Sequence, residues 1–323
     1  MKQHPMLYPK NNTSDLDLAL FRHPTAEYRG APFWSWNNRL DKEQLLRQIA
    51  IFKAMGMGGF HIHSRTGLAT EYLGETFMDL VKTSVQKARE EEMLTWLYDE
   101  DRWPSGFAGG LVTREPEFRA RHLLFTCVPY DGKARKIRIG NIDARYGRTD
   151  NGVLIARYAI WLQNGYLVKY HRLAEGEEAP ADVKLWFAYL ETATPTPWFN
   201  NQTYVNTLNK RAIQRFTEVT HERYAKVVGD AFGKDIPAIF TDEPQFTQKQ
   251  HFKSAEGETD LITPWTDDLP ETYQAAYGQN LLDVLPELFW ELPERQASLV
   301  RYRYHDHVCE RFVSAYADTL GSW

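Results

Sequence analysis

Two groups of acidic residues in this sequence each follow directly on a short apolar run that is typical of a buried strand. The first group is Asp99-Glu100-Asp101 and the second is Asp242-Glu243. Cleavage of a glycosidic bond uses two carboxyl groups, one that protonates the leaving oxygen and one that acts as nucleophile or as base toward water. A partly buried Glu can have the raised pKa that the acid role requires. We predict Glu243 and Glu100 as catalytic residues, with Glu243 as the acid/base; the alternative interpretation is that both groups are turns that end their strands.

A pair of histidines, His61 and His63, lies in an H-x-H pattern within another apolar segment. Because the side chains of a strand alternate between its faces, the two imidazoles are expected on the same face. Such a pair can bind a metal ion, which would make the protein a metal-dependent hydrolase of the amidohydrolase kind. The alternative is that both histidines are hydrogen-bonded residues of the strand that contact a substrate.

Aromatic residues make up 14% of the chain, including 10 Trp, and several of them lie beside these polar groups. A pyranose has apolar faces that can stack on such rings and hydroxyls that need hydrogen-bond partners. Rings next to carboxylates therefore favour a sugar as the ligand, although each Trp could equally belong to the core. The predicted substrate contacts are Trp34, Trp36, His61, His63, Asp99, Asp101, Trp103 and Asp242.

The segments that carry these residues alternate between apolar strands and amphipathic helices. The predicted strands are 31–36, 56–64, 94–98 and 236–241, and the predicted helices are 41–55, 75–92, 207–228 and 294–320. Asp41 and Gln44 form a capping-box pattern, and Gly56 stands where a C-cap belongs. The alternation predicts an α/β fold with parallel strands. Closed barrels and open doubly wound sheets both show this alternation, and the lack of a G-x-G-x-x-G after the first strand disfavours a dinucleotide-binding fold. We predict a TIM-type (β/α)8 barrel, whose functional residues lie at the C-terminal ends of its strands.

A segment from 122 to 191 has a different pattern, with strand-like runs separated by turn residues. Asn164-Gly165 between two such runs predicts a β-hairpin. We predict an all-β insertion of about five strands at 122–191, an N-terminal arm at 1–29, and barrel segments at 30–121 and 192–323. Only about four barrel strands are present, whereas a closed barrel needs eight. The chain is therefore expected to be a truncated N-terminal portion, with the other half of the barrel supplied by a longer chain.

The composition and the net charge of the chain indicate which kinds of binding partner it does not have. The formal net charge is -5 and both signs are interspersed, which disfavours a nucleic-acid surface. No stretch approaches the roughly 18 apolar residues of a membrane span, and the N-terminus lacks an apolar signal core, so we expect no membrane partner and a cytoplasmic location. The two cysteines, Cys127 and Cys309, are far apart in sequence and are predicted to be reduced, buried and structural.

The run LYDEDRWPSGFAGG, from Leu97 to Gly110, closely resembles a segment of glycoside hydrolase family 106-like proteins, the relatives of α-L-rhamnosidases. The runs FWSW at 33–36, MGMGG at 55–59 and FTDEP at 240–244 resemble the same family. The resemblance extends from about Ala31 onward. It implies a catalytic (β/α)8 barrel, inverting hydrolysis by carboxylates, calcium assistance, and a much longer chain with further domains downstream.

Residues and resemblance together predict a glycosidase that removes a terminal sugar, an α-L-rhamnoside by the resemblance, from an oligo- or polysaccharide by carboxylate acid/base catalysis. Two alternatives stay open on the sequence alone. One is the metal-dependent hydrolase that uses His61 and His63, and the other is a non-catalytic carbohydrate-binding remnant with an incomplete catalytic set.

Overall fold

A computed structural model describes residues 15–131 and 147–323 of the chain. It divides into two compact units, Met1–Leu111 with Phe216–Pro244 (unit 1) and Val112–Arg215 with Gln245–Trp323 (unit 2). Residues 1–14 of the predicted arm and residues 132–146 of the predicted insertion lie outside the described residues. Across the described ranges, none of the helices combines the length and the apolar composition that a membrane crossing requires.

The elements alternate along the chain in unit 1 and then change character in unit 2. The described strands are β1 (Phe33–Trp36), β2 (Gly59–Ser64), β3 (Leu94–Tyr98), β4 (Arg121–Thr126), β5 (Val153–Gln163), β6 (Tyr166–Leu173), β7 (Lys184–Thr192), β8 (Ile239–Phe240) and β9 (Leu261–Trp265). The described α-helices are α1 (Leu18–Arg22), α2 (Lys42–Ala54), α3 (Glu75–Glu90), α4 (Lys210–Val219), α5 (His221–Val228), α6 (Leu269–Tyr277), α7 (Leu281–Val284), α8 (Leu299–Phe312) and α9 (Asp318–Ser322).

Unit 1 contains a four-stranded parallel sheet with the strand order β1-β2-β3-β8. The helix α2 connects β1 to β2 and α3 connects β2 to β3, so the predicted α/β alternation is confirmed. The strand β8 has two residues, which pair with Leu97 and Tyr98 at the end of β3. The described strands of this unit form an open sheet of four, and they do not show a closed barrel.

Local signals set the bounds of α2 as predicted. The Asp41 carboxylate accepts a hydrogen bond from the Gln44 N–H at 2.9 Å, which satisfies one of the free donors of the first turn. After the helix, Gly56 has a φ of 83°, a left-handed conformation that a residue without a Cβ adopts at little cost.

The two faces of the parallel sheet differ in chemistry. Trp34 and Trp36 face the helices and belong to the buried core of unit 1, with 6% and 1% of their surface exposed. The opposite face carries a set of rings in mutual contact: Phe33, His61, His63, Trp96, Tyr98 and Phe240. The two tryptophans therefore lie in the core rather than beside the histidines, and their predicted role as substrate contacts is corrected accordingly.

Unit 2 contains a five-stranded antiparallel sheet with the order β6-β5-β7-β4-β9. The strands β5 and β6 form the hairpin that Asn164-Gly165 predicts. Both turn residues have positive φ, 52° and 82°, as a type I′ turn requires. The described part of the predicted insertion thus contributes β4 to β7, and the fifth strand of the sheet comes from a later part of the chain.

That fifth strand is β9, which pairs with β4 in the register Leu123↔Thr263. It lies between 242 and 293, where no strand or helix is predicted from the sequence, and the same stretch contains α6 and α7. The Tyr304 hydroxyl of α8 lies 2.7 Å from the Thr263 hydroxyl and donates to the Pro264 carbonyl at 2.5 Å. These bonds join α8 to the edge of the sheet.

Two long helices of the prediction are interrupted in the structure. The helix predicted over 207–228 is divided into α4 and α5 at Thr220, whose hydroxyl donates to the Phe216 carbonyl at 2.6 Å. Such back-bonding from a Thr side chain competes with the regular helix ladder. The helix predicted over 294–320 begins later, as α8, and passes through a π-helical turn at Val313–Ala317 before α9.

Candidate active site

The C-terminal ends of the four parallel strands of unit 1 lie at one edge of the sheet, where β/α folds carry their functional groups. Two loops leave this edge, one after β3 and one after β8. Ser105 joins them, because its N–H donates to the Asp242 carbonyl and its hydroxyl oxygen accepts from the Asp242 N–H, both at 2.9 Å. The acidic groups that the sequence singles out therefore belong to one connected edge.

Glu100 organises the loop after β3. Its carboxylate accepts five backbone hydrogen bonds of 2.6–2.9 Å, and their donors are the N–H groups of Asp101, Gly106, Phe107, Ala108 and Gly109. The turn that curls around this carboxylate has positive φ at Gly106, Ala108 and Gly109. Backbone N–H groups in such a concave arrangement form an anion-binding nest.

The environment of Glu100 does not fit the catalytic role that the sequence predicts for it. Its surface is 0% exposed, so no substrate contacts it in this arrangement. Burial raises the pKa of Glu100. All five groups that contact its oxygens are nevertheless N–H donors, which a carboxylate can accept from and which a protonated carboxyl group could accept from only in part. The hydrogen bonds of this loop therefore favour the ionised form of Glu100. We therefore correct the assignment of Glu100 from catalyst to loop-holding residue.

Asp99 and Asp101 are also buried beneath this edge. The Asp101 carboxylate accepts from the Arg102 guanidinium through Nε at 2.8 Å and Nη2 at 2.7 Å, which balances its charge. The Ser105 hydroxyl donates to Asp99 Oδ1 at 2.6 Å, and Asp99 Oδ2 lies 3.9 Å from His221 Nε2. Burial raises the pKa of Asp99 to about 7, against the lowering effect of hydrogen bonds from Ser105 and Thr241.

The carboxyl groups of Asp242 and Glu243 lie nearer to solvent. The Tyr98 hydroxyl donates to Asp242 Oδ2 at 3.1 Å, and the Trp103 indole N–H donates to Glu243 Oε2 at 2.9 Å. Partial burial raises the pKa of Asp242, and the neighbouring charge of Glu243 adds to this effect while the Tyr98 bond opposes it. Glu243 has a φ of 41°, a left-handed conformation that is costly for a residue with a side chain and that is concentrated at functional sites.

His61 and His63 lie on the ring-bearing face of the sheet. His63 stacks on Tyr98 with ring centroids 3.9 Å apart, and His61 stacks on Trp96 at 5.1 Å. Burial, with a smaller contribution from the positive charge of Arg65, lowers the pKa of His63 to about 4. Its imidazole is therefore neutral at pH 7, when it can both donate and accept a hydrogen bond.

The structure thus brings Trp103, Asp242 and Glu243 together at the accessible edge. Glu100 and the two flanking aspartates are buried there, and so is His63, which has 3% of its surface exposed, so its predicted role as a substrate contact is corrected. Two further residues of this site, Tyr98 and Ser105, are not among the site residues predicted from the sequence. Tyr98 could have been found, because it lies two residues after Trp96 and must share its face of β3. Ser105 gives no comparable signal, since its partners come from segments 6 and 137 residues away.

Comparison with known proteins supports the fold. No family model matches the chain, and no curated protein matches its sequence. The chain is similar in structure to the rhamnosidase from Novosphingobium sp. PP1Y, with a TM-score of 0.52 over 94% of this chain and 11% sequence identity. The chain spans 46% of the length of that rhamnosidase. At this level of identity the similarity establishes a shared fold.

Calcium, which the family resemblance implies, and the metal alternative for the histidines both need a set of side-chain ligands. Within the described ranges, no group of three or more His, Cys, Asp or Glu side chains has an arrangement that could hold a metal ion. Two of the acidic residues at this edge are engaged elsewhere, since Glu100 accepts backbone N–H groups and Asp101 binds Arg102. The described residues therefore contain no such cluster, no step of the reaction is assigned to a metal ion, and the calcium that the resemblance implies stays a prediction.

The role of Ser105 in joining the two loops leads to a stability prediction. The variant Ser105→Ala leaves the Asp242 N–H and one Asp99 oxygen without their buried partner, so the free energy of unfolding should fall by about 1–3 kcal/mol. Ser84→Ala is the matched control, because Ser84 is equally buried and its hydroxyl has no hydrogen-bond partner among the described residues. Urea-induced unfolding should show a loss for the first variant and none for the second. Equal losses would show that Ser105 contributes only its volume.

Proposed function

We propose that the protein is a glycoside hydrolase that removes a terminal sugar, an α-L-rhamnoside, from an oligo- or polysaccharide. The observation that carries the proposal is the pair of carboxyl groups of Asp242 and Glu243 at the C-terminal edge of the parallel sheet. Each accepts a hydrogen bond from an aromatic side chain, Tyr98 and Trp103 respectively. The structural similarity to a rhamnosidase supports the same class of reaction.

In the proposed reaction Glu243 acts as the acid/base. Its carboxylate is exposed, so it can reach a bound sugar or the attacking water. The Trp103 N–H orients the carboxylate, which accepts a proton from the attacking water as the water oxygen bonds to the anomeric carbon. The glycosidic C–O bond breaks in the same reaction, and a second carboxyl group protonates the leaving oxygen. Asp242 offers hydrogen bonds to sugar hydroxyls, and the Trp103 ring offers an apolar surface.

The proposal includes the rest of the catalytic domain. The four strands of unit 1 correspond to part of a (β/α)8 barrel, and the remaining β/α units would come from a longer protein. A second catalytic carboxyl group would then be Asp242 or a residue of those units. The activity is therefore to be measured in the full-length protein that the gene encodes.

The test is hydrolysis of a panel of 4-nitrophenyl glycosides by the full-length protein. We expect release of nitrophenol from the α-L-rhamnopyranoside and little from the β-D-glucopyranoside or the α-L-arabinofuranoside. Turnover of a different glycoside would keep the hydrolase class and remove rhamnose as the sugar. Binding of rhamnose without turnover of any glycoside would replace the proposal with a non-catalytic carbohydrate-binding protein.

A further inference from the structure

A groove of about 760 Å³ lies in unit 2, lined by residues of the segments 245–253 and 259–261. The floor on one side is the start of β9, at the edge of the antiparallel sheet. The lining combines side-chain amides, the partly exposed ring of Phe246 and the ammonium groups of Lys249 and Lys253. The groove has no part in the chemistry described for unit 1.

The lining of this groove carries two ammonium groups, those of Lys249 and Lys253. Neither Lys249 nor Lys253 forms an ion pair with another described residue. The one acidic residue of the lining, Asp260, is already engaged, since it accepts from the Thr126 hydroxyl at 2.6 Å and lies 3.5 Å from Arg148 Nη1. The side chains that line the groove therefore carry a net positive charge.

Lys249 is the partly buried cation of this lining. Its ammonium lies 5.4 Å above the centroid of the Phe289 ring and 3.3 Å from the Gln250 carbonyl. Burial lowers the pKa of Lys249 to about 8, and the positive charge of Arg301 adds to this effect while Glu291 opposes it. Glu291 is itself paired with Arg301 at 2.7 Å. An anion in the groove would relieve this unfavourable arrangement.

We propose that this groove binds a saccharide that carries an acidic group, a carboxylate or a sulfate ester. The ammonium groups of Lys249 and Lys253 would bind the anion, and the amides of Gln245 and Gln248 would bind hydroxyls. The ring of Phe246, whose other contact is Phe312 at 5.3 Å, offers a surface for an apolar sugar face. A simple inorganic anion would use the lysines alone, so the amides and the ring favour a saccharide.

The test uses two probes that differ only in their carboxylates, β-1,4-linked mannuronate trisaccharide and β-1,4-mannotriose. Isothermal titration calorimetry with the full-length protein should show binding of the acidic probe and at least tenfold weaker binding of the neutral one. Because it measures binding and not turnover, this experiment is independent of the glycosidase proposal. Equal affinity for both probes, no binding of the acidic probe, or full competition by equimolar inorganic sulfate would overturn the proposal.

A matched pair of variants locates the site. Lys249→Gln and Lys169→Gln each remove one ammonium group that lies over an aromatic ring, Phe289 and Trp161 respectively. Lys169 lies on β6, at the edge of the sheet opposite to β9. Lys249→Gln should weaken binding of the acidic trisaccharide about tenfold, and Lys169→Gln should leave it unchanged. Equal losses in both variants would show a diffuse charge effect and overturn the assignment of the site.

Discussion

Replacing Glu243 with Gln in the full-length protein is expected to lower kcat/KM for an aryl α-L-rhamnoside by about 10²–10⁴-fold. Gln keeps the size of the side chain, and its amide oxygen can still accept the Trp103 N–H. It cannot take up or release a proton at neutral pH, which is the step that the acid/base performs. The expected signature is therefore a loss in kcat with little change in KM.

The control for this variant is Glu90→Gln. Glu90 is the exposed last residue of α3, so its substitution makes the same change of charge at the opposite end of the helix–strand unit. We expect activity within about twofold of the unchanged protein, since exposed substitutions away from a site have small effects. A Glu243→Gln variant that keeps more than a tenth of the activity would remove Glu243 from the mechanism and leave the hydrolase class standing.

Features that depend on neighbouring residues were predictable from the sequence. The turn at Asn164-Gly165 requires two consecutive residues that tolerate positive φ, and Asn-Gly is the pair that does so at least cost. The strand β3 has its predicted bounds, Leu94–Tyr98, because an apolar run bounded by helix and acidic loop permits few alternatives. Both signals are contained in a few adjacent positions.

Features that depend on distant pairing were not predictable. The strand β9 contains Pro264, which lacks an N–H and argues against a strand on local grounds. The strand lies at the edge of its sheet, where a proline is tolerated. Its partner β4 is more than 130 residues away in sequence, so no local pattern indicates the pairing.

In the candidate site, too, adjacent residues determine some features and distant contacts determine others. The alternation of β1 predicts that Trp34 and Trp36 share a face, but not that this face is the one covered by helices. A run of three acids likewise predicts polarity and not accessibility. Whether Glu100 meets a substrate or five backbone donors depends on how the loop that follows it folds back.

The substitution with the largest expected effect on stability is Glu100→Gln. Three N–H groups converge on Oε2 and two on Oε1. Gln would present an NH₂ group to at least two of these donors, which leaves buried N–H groups without acceptors. Each such group costs about 1–3 kcal/mol, so the free energy of unfolding should fall by about 3–5 kcal/mol.

Two further variants separate the hydrogen bonds from the charge. Glu100→Asp keeps the carboxylate but shortens its reach by one methylene, so it should lose some of the five bonds and give an intermediate loss of stability. Glu90→Gln, with no buried partners to lose, should give almost none. Hydrogen exchange at the amides of Gly106 to Gly109 provides the direct measurement, because these N–H groups should exchange faster in the same order as the stability falls. A Glu100→Gln variant as stable as Glu90→Gln, with slow exchange at these amides, would mean that the loop holds Trp103 and Ser105 in place without the carboxylate.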